Sequence, residues 1–194
     1  FRVVDPGFNA ILIRSASDLS KLAADLGETA IAERNAAFAA RGLAAMEKLW
    51  SNRHGQYLCR DRTTGRQIDS ASVGGLLAAF AAIPKDRSAA LARRIGELAQ
   101  RCEYLVPSHD PTDPRFDAKR YWRGPAWLIV NYLIADGLEA AGESHTAETI
   151  RTSSMELISK SGFAEYYDPI SGDACGGGRF TWTAAMVLEF LRGK

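Results

Sequence analysis

Residues 126–138 read Ala-Trp-Leu-Ile-Val-Asn-Tyr-Leu-Ile-Ala-Asp-Gly-Leu and are apolar on almost every side of a helix. A helix that is hydrophobic all round has to be packed on all sides. Residues 71–83 and 180–191 have the same character. We therefore predict three buried helices, the middle one covering about residues 123–141 with Pro125 in its first turn, where proline is well tolerated.

Amphipathic segments alternate with these apolar ones. The amphipathic helices are predicted at about residues 28–50, 86–102 and 143–160, and a further helix precedes them at about residues 9–26. In the helix at 86–102, Leu91, Ile95, Leu98 and Cys102 recur at helical spacing, which predicts one buried stripe and one solvated face. The buried helices start about 53 to 56 residues apart, as in a repeat of helical hairpins. The fold predicted from the alternation is all-α, with two concentric layers of helices.

The connections between these helices are long on one side only. Short turns occur around Gly27, Pro84 and Gly142, whereas the segments 51–70, 103–122 and 161–179 are long. Long loops in a compact domain are usually functional. All three precede a buried helix, so we predict a binding face at the N-terminal ends of the buried helices.

Two of the long loops share a pattern. The spacing Gly-x5-Asp-x2-Ser/Thr-Gly occurs at residues 55–65 and again at residues 162–172. Asp followed by Ser or Thr and Gly is typical of a tight turn in which the Asp side chain accepts backbone N–H groups. We interpret the shared residues as scaffold. The difference is informative, because Glu165 stands where the first copy has Leu58.

Glu165 is the leading catalytic candidate. It lies among Phe163, Tyr166 and Tyr167 in a loop on the predicted binding face. A carboxylate among aromatic side chains suits general acid–base work on a sugar. The alternative from the pattern alone is an ordinary solvated glutamate.

A second candidate segment surrounds the start of the middle buried helix. Tyr121, Trp122, Arg123 and Trp127 are gathered there within seven residues. They could form a stacking and hydrogen-bonding wall for a polar ligand. The alternative is that the tryptophans belong to the core and Arg123 to a structural ion pair, and we expect this of at least one tryptophan.

Composition excludes several classes of function. Lys plus Arg number 24 and Asp plus Glu 23, a net charge of +1 that predicts neither nucleic-acid nor anionic-membrane binding. Three scattered cysteines predict a cytoplasmic protein without disulfides. No metal site or cofactor is expected, since the spacing of Asp110, Asp113 and Asp117 fails the EF-hand pattern. The triple glycine 176–178 predicts a flexible entry to the last helix, and Cys175 beside it is interpreted as a bystander thiol.

The motifs YWRGPAW at 121–127, GFAEYYDPISG at 162–172 and GGGRFTWTAA at 176–185 resemble inverting α-glycosidases with an (α/α)6 barrel. The resemblance covers almost the whole chain. It is closest to glycoside hydrolase family 63, and within it to bacterial mannosylglycerate and glucosylglycerate hydrolases, with trehalases more distant. It implies that Glu165 is the general base, which takes a proton from the water that attacks the anomeric carbon.

The resemblance also implies roles for neighbouring residues in binding a small α-glycoside. The substrate-binding residues it implies are Tyr121, Trp122, Arg123, Gly124, Trp127, Tyr166 and Trp182. Our own inference for Arg123 is that its guanidinium orients a hydroxyl or a glycerate carboxylate, because a planar fork suits a carboxylate.

One departure from the family is large. The closed barrel has twelve helices and this chain supplies about seven, so residues 1–194 resemble the C-terminal part of one catalytic barrel. The family's general acid, an aspartate upstream, has no match here, although Asp69, Asp110 and Asp117 lie on the expected face. We therefore expect that activity requires the missing part of the barrel or another copy of the chain. We also expect the incomplete barrel to expose an open apolar edge. The alternatives are a non-catalytic carbohydrate-binding module and a helical scaffold for protein partners.

Overall fold

The computed structural model describes residues 2–192. Within that range the chain forms seven α-helices, two of which are extended by 3₁₀ turns. The helices are α1 (Pro6–Asp25), α2 (Thr29–Met46), α3 (Val73–Leu76), α4 (Lys85–Ala99), α5 (Leu128–Ala141), α6 (Ser144–Ser161) and α7 (Thr181–Arg192). The 3₁₀ turns cover Glu47–Leu49 and Leu77–Ala81. All seven predicted helices are therefore confirmed, with shifts at their ends.

The helices form two layers, as the alternation predicts. In the inner layer, α1 packs against the 3₁₀ turn that continues α3, that turn packs against α5, and α5 packs against α7. The outer helices α2 and α6 pair with α1 and α5, and α4 packs against both α5 and α6. On α4 the predicted stripe of Leu91, Ile95, Leu98 and Cys102 is buried. The hydrophobic core lies between the two layers.

The third helix is shorter than the sequence predicts. Only Val73–Leu76 is α-helical, and Leu77–Ala81 tightens into a 3₁₀ turn that ends at Ala82 with φ 54°. Two glycines explain the close packing here. A Cβ at Gly75 would overlap the carbonyl oxygen of Tyr57, and a Cβ at Gly137 would overlap the backbone of Ala79. The small residues therefore let the backbone of α5 approach that of the 3₁₀ turn.

The predicted start of α5 is wrong by one turn. The helix begins at Leu128, and Pro125 lies in extended chain rather than in the first turn. The cause is a long-range pairing: the N–H of Ala126 donates to the carbonyl of Tyr167 at 2.8 Å, and that of Tyr167 donates back at 3.0 Å. Trp127, extended at φ −124°, is the N-cap.

The three long loops meet at one end of the helical layers. Arg115 donates to the carbonyl oxygen of Asp69 at 2.9 Å, which joins the first two loops. Lys119 and Asp173 form an ion pair at 2.8 Å, which joins the second and third. The loops also contain most of the short antiparallel strands. These are β1 (Val3–Val4), β2 (Trp50–Ser51), β3 (Gln56–Tyr57), β4 (Arg60–Asp61), β5 (Ala164–Tyr167) and β6 (Ala174–Gly178), paired β1–β4, β2–β3 and β5–β6.

Asn131 is the one polar residue in the middle of the apolar face of α5, and it anchors the second loop. Its Oδ1 accepts the N–H of Val106 at 3.0 Å, and its Nδ2 donates to the carbonyl of Leu105 at 2.8 Å and to Ser154 at 2.9 Å. The side chain is fully buried. Buried polar groups require such partners, so the asparagine fixes where the loop leaves the core.

Apolar side chains are exposed at both ends of the series of helices, on α1 and α2 and on α7. On α1, its C-cap and α2 these residues are Phe8, Ile11, Leu12, Leu19, Leu22, Leu26 and Phe38, and on α7 they are Trp182, Leu188 and Leu191. Helix α7 has only Thr183 and Phe190 buried, although its sequence is apolar almost all round. The predicted open apolar edge is therefore present. No helix among residues 2–192 has the length and hydrophobicity needed to span a bilayer.

Candidate active site

The hairpin of β5 and β6 presents Glu165. Ala164 pairs with Gly178 and Tyr166 pairs with Cys175, and the register shifts between these two pairs. Glu165 lies at this irregularity. A bulge leaves a residue out of the ladder and redirects its side chain. The residue as a whole is half-buried.

The turn that follows Glu165 is built as the sequence predicts. Oδ1 of Asp168 accepts the N–H groups of Ile170 at 2.8 Å and Ser171 at 3.1 Å. The N–H of Gly172, at φ 73°, donates to the carbonyl of Asp168 at 2.8 Å. The scaffold interpretation of the repeated residues is therefore confirmed for this copy. The turn holds the end of β5 rigidly.

An aromatic stack lies beside Glu165. Trp122 stacks on Trp127 at 4.3 Å between ring centroids and 9° between planes, and Trp127 stacks on Tyr166 at 4.8 Å and 25°. Trp127 is 3% exposed and belongs to the core, whereas Trp122 is 46% exposed. The core interpretation thus holds for one tryptophan, and the other offers a surface on which a sugar ring could stack.

Tyr121 links the aromatic stack to the carboxylate. Its hydroxyl donates to Oε1 of Glu165 at 3.2 Å. Desolvation raises the pKa of Tyr121 above its ordinary value, and the hydrogen bond to the carboxylate raises it further. The phenol therefore remains protonated at neutral pH and acts as the donor of this bond.

The other predicted binding residues are placed differently. Arg123 is exposed, and among residues 2–192 its side chain forms no hydrogen bond or ion pair, so the predicted alternative of a structural ion pair is not seen. Gly124 is buried, its N–H donates to Ser108 Oγ at 3.0 Å, and a Cβ on it would overlap the carbonyl of Asp117. Trp182 is half-exposed in the first turn of α7 and contacts Phe180 rather than the stack.

Three aspartates on the same face are held by their own neighbours. Asp69 pairs with Arg53 at 3.1 Å and with His54 at 2.6 Å. Asp110 forms a close ion pair with Arg94, and Asp117 accepts the backbone N–H of Lys119 at 3.2 Å. The hydrogen bond from His54, followed by the charge of Arg53, holds the pKa of Asp69 below its ordinary value. A carboxyl kept ionised in this way is a poor proton donor.

The glycine-rich segment differs from its prediction. Residues 176–178 form part of strand β6 rather than a flexible entry to the last helix. Gly176 has φ 71°, and a Cβ there would lie 2.5 Å from Oε2 of Glu165. The three consecutive glycines in the sequence indicate a backbone with much conformational freedom. They do not indicate that this backbone lies close to the carboxylate of Glu165. Burial raises the pKa of the Cys175 thiol on the same strand, which agrees with a bystander.

The family comparison matches nearly the whole chain. Residues 1–183 match the family model described as mannosylglycerate hydrolase MGH1-like glycoside hydrolase domain. A mannosylglycerate hydrolase of Selaginella moellendorffii is 39% identical over 192 residues, which cover 98% of this chain and 39% of that protein. A mannosylglycerate hydrolase of Thermus thermophilus is 38% identical, with 99% and 46% covered. The chain thus spans less than half the length of these curated relatives.

The structural comparison identifies the fold. The crystal structure of a family 63 mannosylglycerate hydrolase from Thermus thermophilus, in complex with Tris and D-glycerate, matches with a TM-score of 0.92 at 38% identity. The match covers 98% of this chain and 46% of that one. Neutral trehalase from Saccharomyces cerevisiae shares only the fold, with a TM-score of 0.74 at 12% identity. The helices are therefore part of an (α/α)6 barrel.

Proposed function

The chain belongs to the MGH1-like glycoside hydrolase family, and from this premise we propose that it carries the general base of an inverting α-glycosidase. The observation that carries the proposal is the placement of Glu165. The carboxylate of this half-buried residue is hydrogen-bonded by Tyr121, beside an aromatic stack with one exposed tryptophan face. This arrangement suits a base that works next to a bound sugar ring.

The chemistry assigned to Glu165 is the activation of water. The carboxylate takes a proton from the water as the water oxygen forms a bond to the anomeric carbon. The bond from that carbon to the leaving oxygen breaks, and a second carboxyl group protonates the leaving oxygen. Inversion requires the two carboxyls to be roughly 6.5–9.5 Å apart, which leaves room for the water.

We place the general acid outside these 194 residues. Asp69 and Asp110 are paired with arginines, and Asp117 caps a turn. The exposed apolar side chains on α1 and α7 offer surfaces against which further helices of the same barrel, or another copy, would close the ring. Residues 1–194 are in this proposal the C-terminal part of one catalytic barrel.

The proposed substrate is a small α-glycoside such as mannosylglycerate or glucosylglycerate. Trp122 and Tyr166 would contact the sugar, Trp127 would support them from the core, and Trp182 would complete the wall. Gly124 would contribute by allowing the backbone between Arg123 and Trp127 to pack closely against Asp117. The exposed guanidinium of Arg123 is free to pair with a hydroxyl or the glycerate carboxylate. The three cysteines are free thiols, which supports a cytoplasmic location.

The test is Glu165→Gln in the complete protein, with the anomer released from each glycoside followed by NMR. We expect the unaltered protein to release the inverted anomer and the variant to lose turnover by about 10²–10⁴-fold. Glu156→Gln, at an exposed glutamate of α6, is the matched control and should leave turnover unchanged. Near-normal turnover by Glu165→Gln would contradict the proposal. Sugar binding without any hydrolysis would favour a binding module.

A further inference from the structure

We propose that Tyr121 is the positioning residue of Glu165 and holds the carboxylate in the orientation that the attacking water requires. This inference rests on the proposed function. The resemblance assigns Tyr121 to the sugar, whereas the contacts of its side chain lead to the carboxylate. Its hydroxyl donates to Oε1 of Glu165 at 3.2 Å, and no other donor among residues 2–192 binds that carboxylate.

The backbone of Tyr121 is held in an unusual conformation. Its φ is 38°, in the left-handed region that non-glycine residues rarely adopt. Its carbonyl oxygen accepts the indole N–H of Trp127 at 3.1 Å. Because Trp127 is buried, this bond fixes the peptide that carries Tyr121. Strain of this kind persists only where the surroundings impose it, and it concentrates at functional sites.

The ring of Tyr121 packs against the aromatic stack, although 48% of the residue is exposed. It lies nearly perpendicular to three neighbours, with centroid distances of 4.9 Å to Trp127, 5.3 Å to Tyr166 and 5.9 Å to Trp122. Such edge-to-face contacts are favourable for aromatic pairs. Three ring contacts and one backbone bond leave the hydroxyl little freedom, so its direction towards Glu165 is built into the site.

The opposite oxygen of the carboxylate has a different neighbour. A Cβ at Gly176 would lie 2.5 Å from Oε2 and 2.7 Å from the Cβ of Glu165. Glycine at position 176 therefore leaves the room that the side chain of Glu165 occupies. With Oε1 bound by the phenol, Oε2 is the oxygen left to accept the proton of the attacking water.

The two segments that carry these residues are braced against each other. Lys119, two residues before Tyr121, pairs with Asp173 in the loop between β5 and β6 at 2.8 Å. The two backbone hydrogen bonds between Ala126 and Tyr167 join the same two segments at a position five residues after Tyr121. These contacts join the segment of the phenol to the segment of the carboxylate, and small misplacements of catalytic groups are costly to the rate.

The test is Tyr121→Phe in the complete protein, which keeps the ring and removes only the hydroxyl. We expect kcat to fall by about 10- to 100-fold while KM changes by less than about threefold. Tyr104→Phe is the matched control, because Lys160, at 3.4 Å on the surface, is the one hydrogen-bond partner of that hydroxyl among residues 2–192. It should leave both constants unchanged.

Substrate binding separates a positioning role from a sugar contact. In the Glu165→Gln background, which is expected to bind glycoside without hydrolysing it, adding Tyr121→Phe should change the calorimetric Kd for mannosylglycerate by less than about twofold. A loss of tenfold or more in that background would make Tyr121 a sugar ligand and overturn the proposal. An unchanged kcat in Tyr121→Phe would overturn it as well.

The two proposals fail in distinguishable ways. If Glu165→Gln turns over normally, the assignment of the base is wrong, whatever Tyr121→Phe does. If Glu165→Gln is inactive and Tyr121→Phe matches the unaltered protein, the base stands and only the positioning role fails. Tyr121→Leu, which also removes the ring contacts, serves as a second variant. Its kcat should not exceed that of Tyr121→Phe, and full activity in it would contradict the proposal.

Discussion

The same turn occurs twice in the chain, once beside the core and once in the candidate active site. In residues 55–65 the Oδ1 of Asp61 accepts the N–H groups of Thr63 at 2.6 Å and Thr64 at 2.9 Å. In residues 162–172 Asp168 does the same for Ile170 and Ser171. Both turns close on a glycine with positive φ, 71° at Gly65 and 73° at Gly172.

The two copies differ at the position three residues before the aspartate. Leu58 is 3% exposed and its N–H donates to the carbonyl of Leu49 at 2.9 Å, so this side chain completes the core. Glu165 lies at the irregular pairing of β5 and β6 and is bound by Tyr121. The same turn thus follows a buried leucine in one copy and the proposed general base in the other.

The largest effect is expected from giving the second copy the residue of the first. Glu165→Leu should reduce kcat by about 10²–10⁴-fold, the usual contribution of a general base. The turn itself should survive, since Asp168 and Gly172 are untouched. Turnover of mannosylglycerate and the thermal unfolding midpoint of the complete protein check the two halves of this prediction. An inactive variant that also unfolds early would contradict the separation of turn and chemistry.

The reverse exchange should cost stability and bring no activity. Leu58→Glu places a carboxylate in a fully packed site without a partner, and burying an unpaired charge is among the most destabilising changes known. We expect the free energy of unfolding to fall by about 4 kcal/mol or more, measured by urea denaturation. Leu58→Met keeps the volume and should cost less than about 1.5 kcal/mol. Equal losses in the two variants would argue against a role of charge.

The parts of this comparison that the sequence predicts are the local ones. The bonds of Asp168 reach residues two and three positions ahead, so the turn follows from the pattern. The helical layers follow from the period of apolar residues, as the buried stripe of Leu91 and Ile95 on α4 shows. The resemblance of residues 162–172 to the family motif predicts Glu165 as the general base.

The parts that the sequence does not predict depend on contacts between distant segments. Ala126 pairs with Tyr167, so α5 starts at Leu128 instead of at the proline. The bulge at Glu165 arises from pairing with β6, whose glycines suggested flexibility rather than a strand. The bond from Tyr121 to Glu165 spans 44 positions in the chain. No local pattern carries that information, because it depends on how the second and third loops are braced.

A smaller effect is expected from removing the aspartate of each turn. Asp168 is 4% exposed, so Asp168→Ala leaves the backbone N–H groups of Ile170 and Ser171 without their acceptor in a partly buried place. We expect a loss of about 2–3 kcal/mol and reduced turnover, because the end of β5 loosens. In Asp61→Ala water can replace the carboxylate, since that turn is exposed, and the loss should be clearly smaller. Urea denaturation of both variants, with kcat for Asp168→Ala, tests this order.

The smallest effect is expected at the closing glycines. Gly65→Ala and Gly172→Ala both force a Cβ into the left-handed region, which costs about 1–2 kcal/mol in either copy. A Cβ at Gly65 meets nothing within 4 Å, whereas one at Gly172 would lie 2.7 Å from Cε2 of Tyr104 and 3.0 Å from Cδ of Lys160. The second variant should therefore unfold at a lower urea concentration than the first. Adding Tyr104→Ala to Gly172→Ala removes the obstructing ring, so the Gly172 change should then cost about as much as the one at Gly65. If the difference between the copies persists in that background, it originates in the backbone of the turn and not in the ring packed against it.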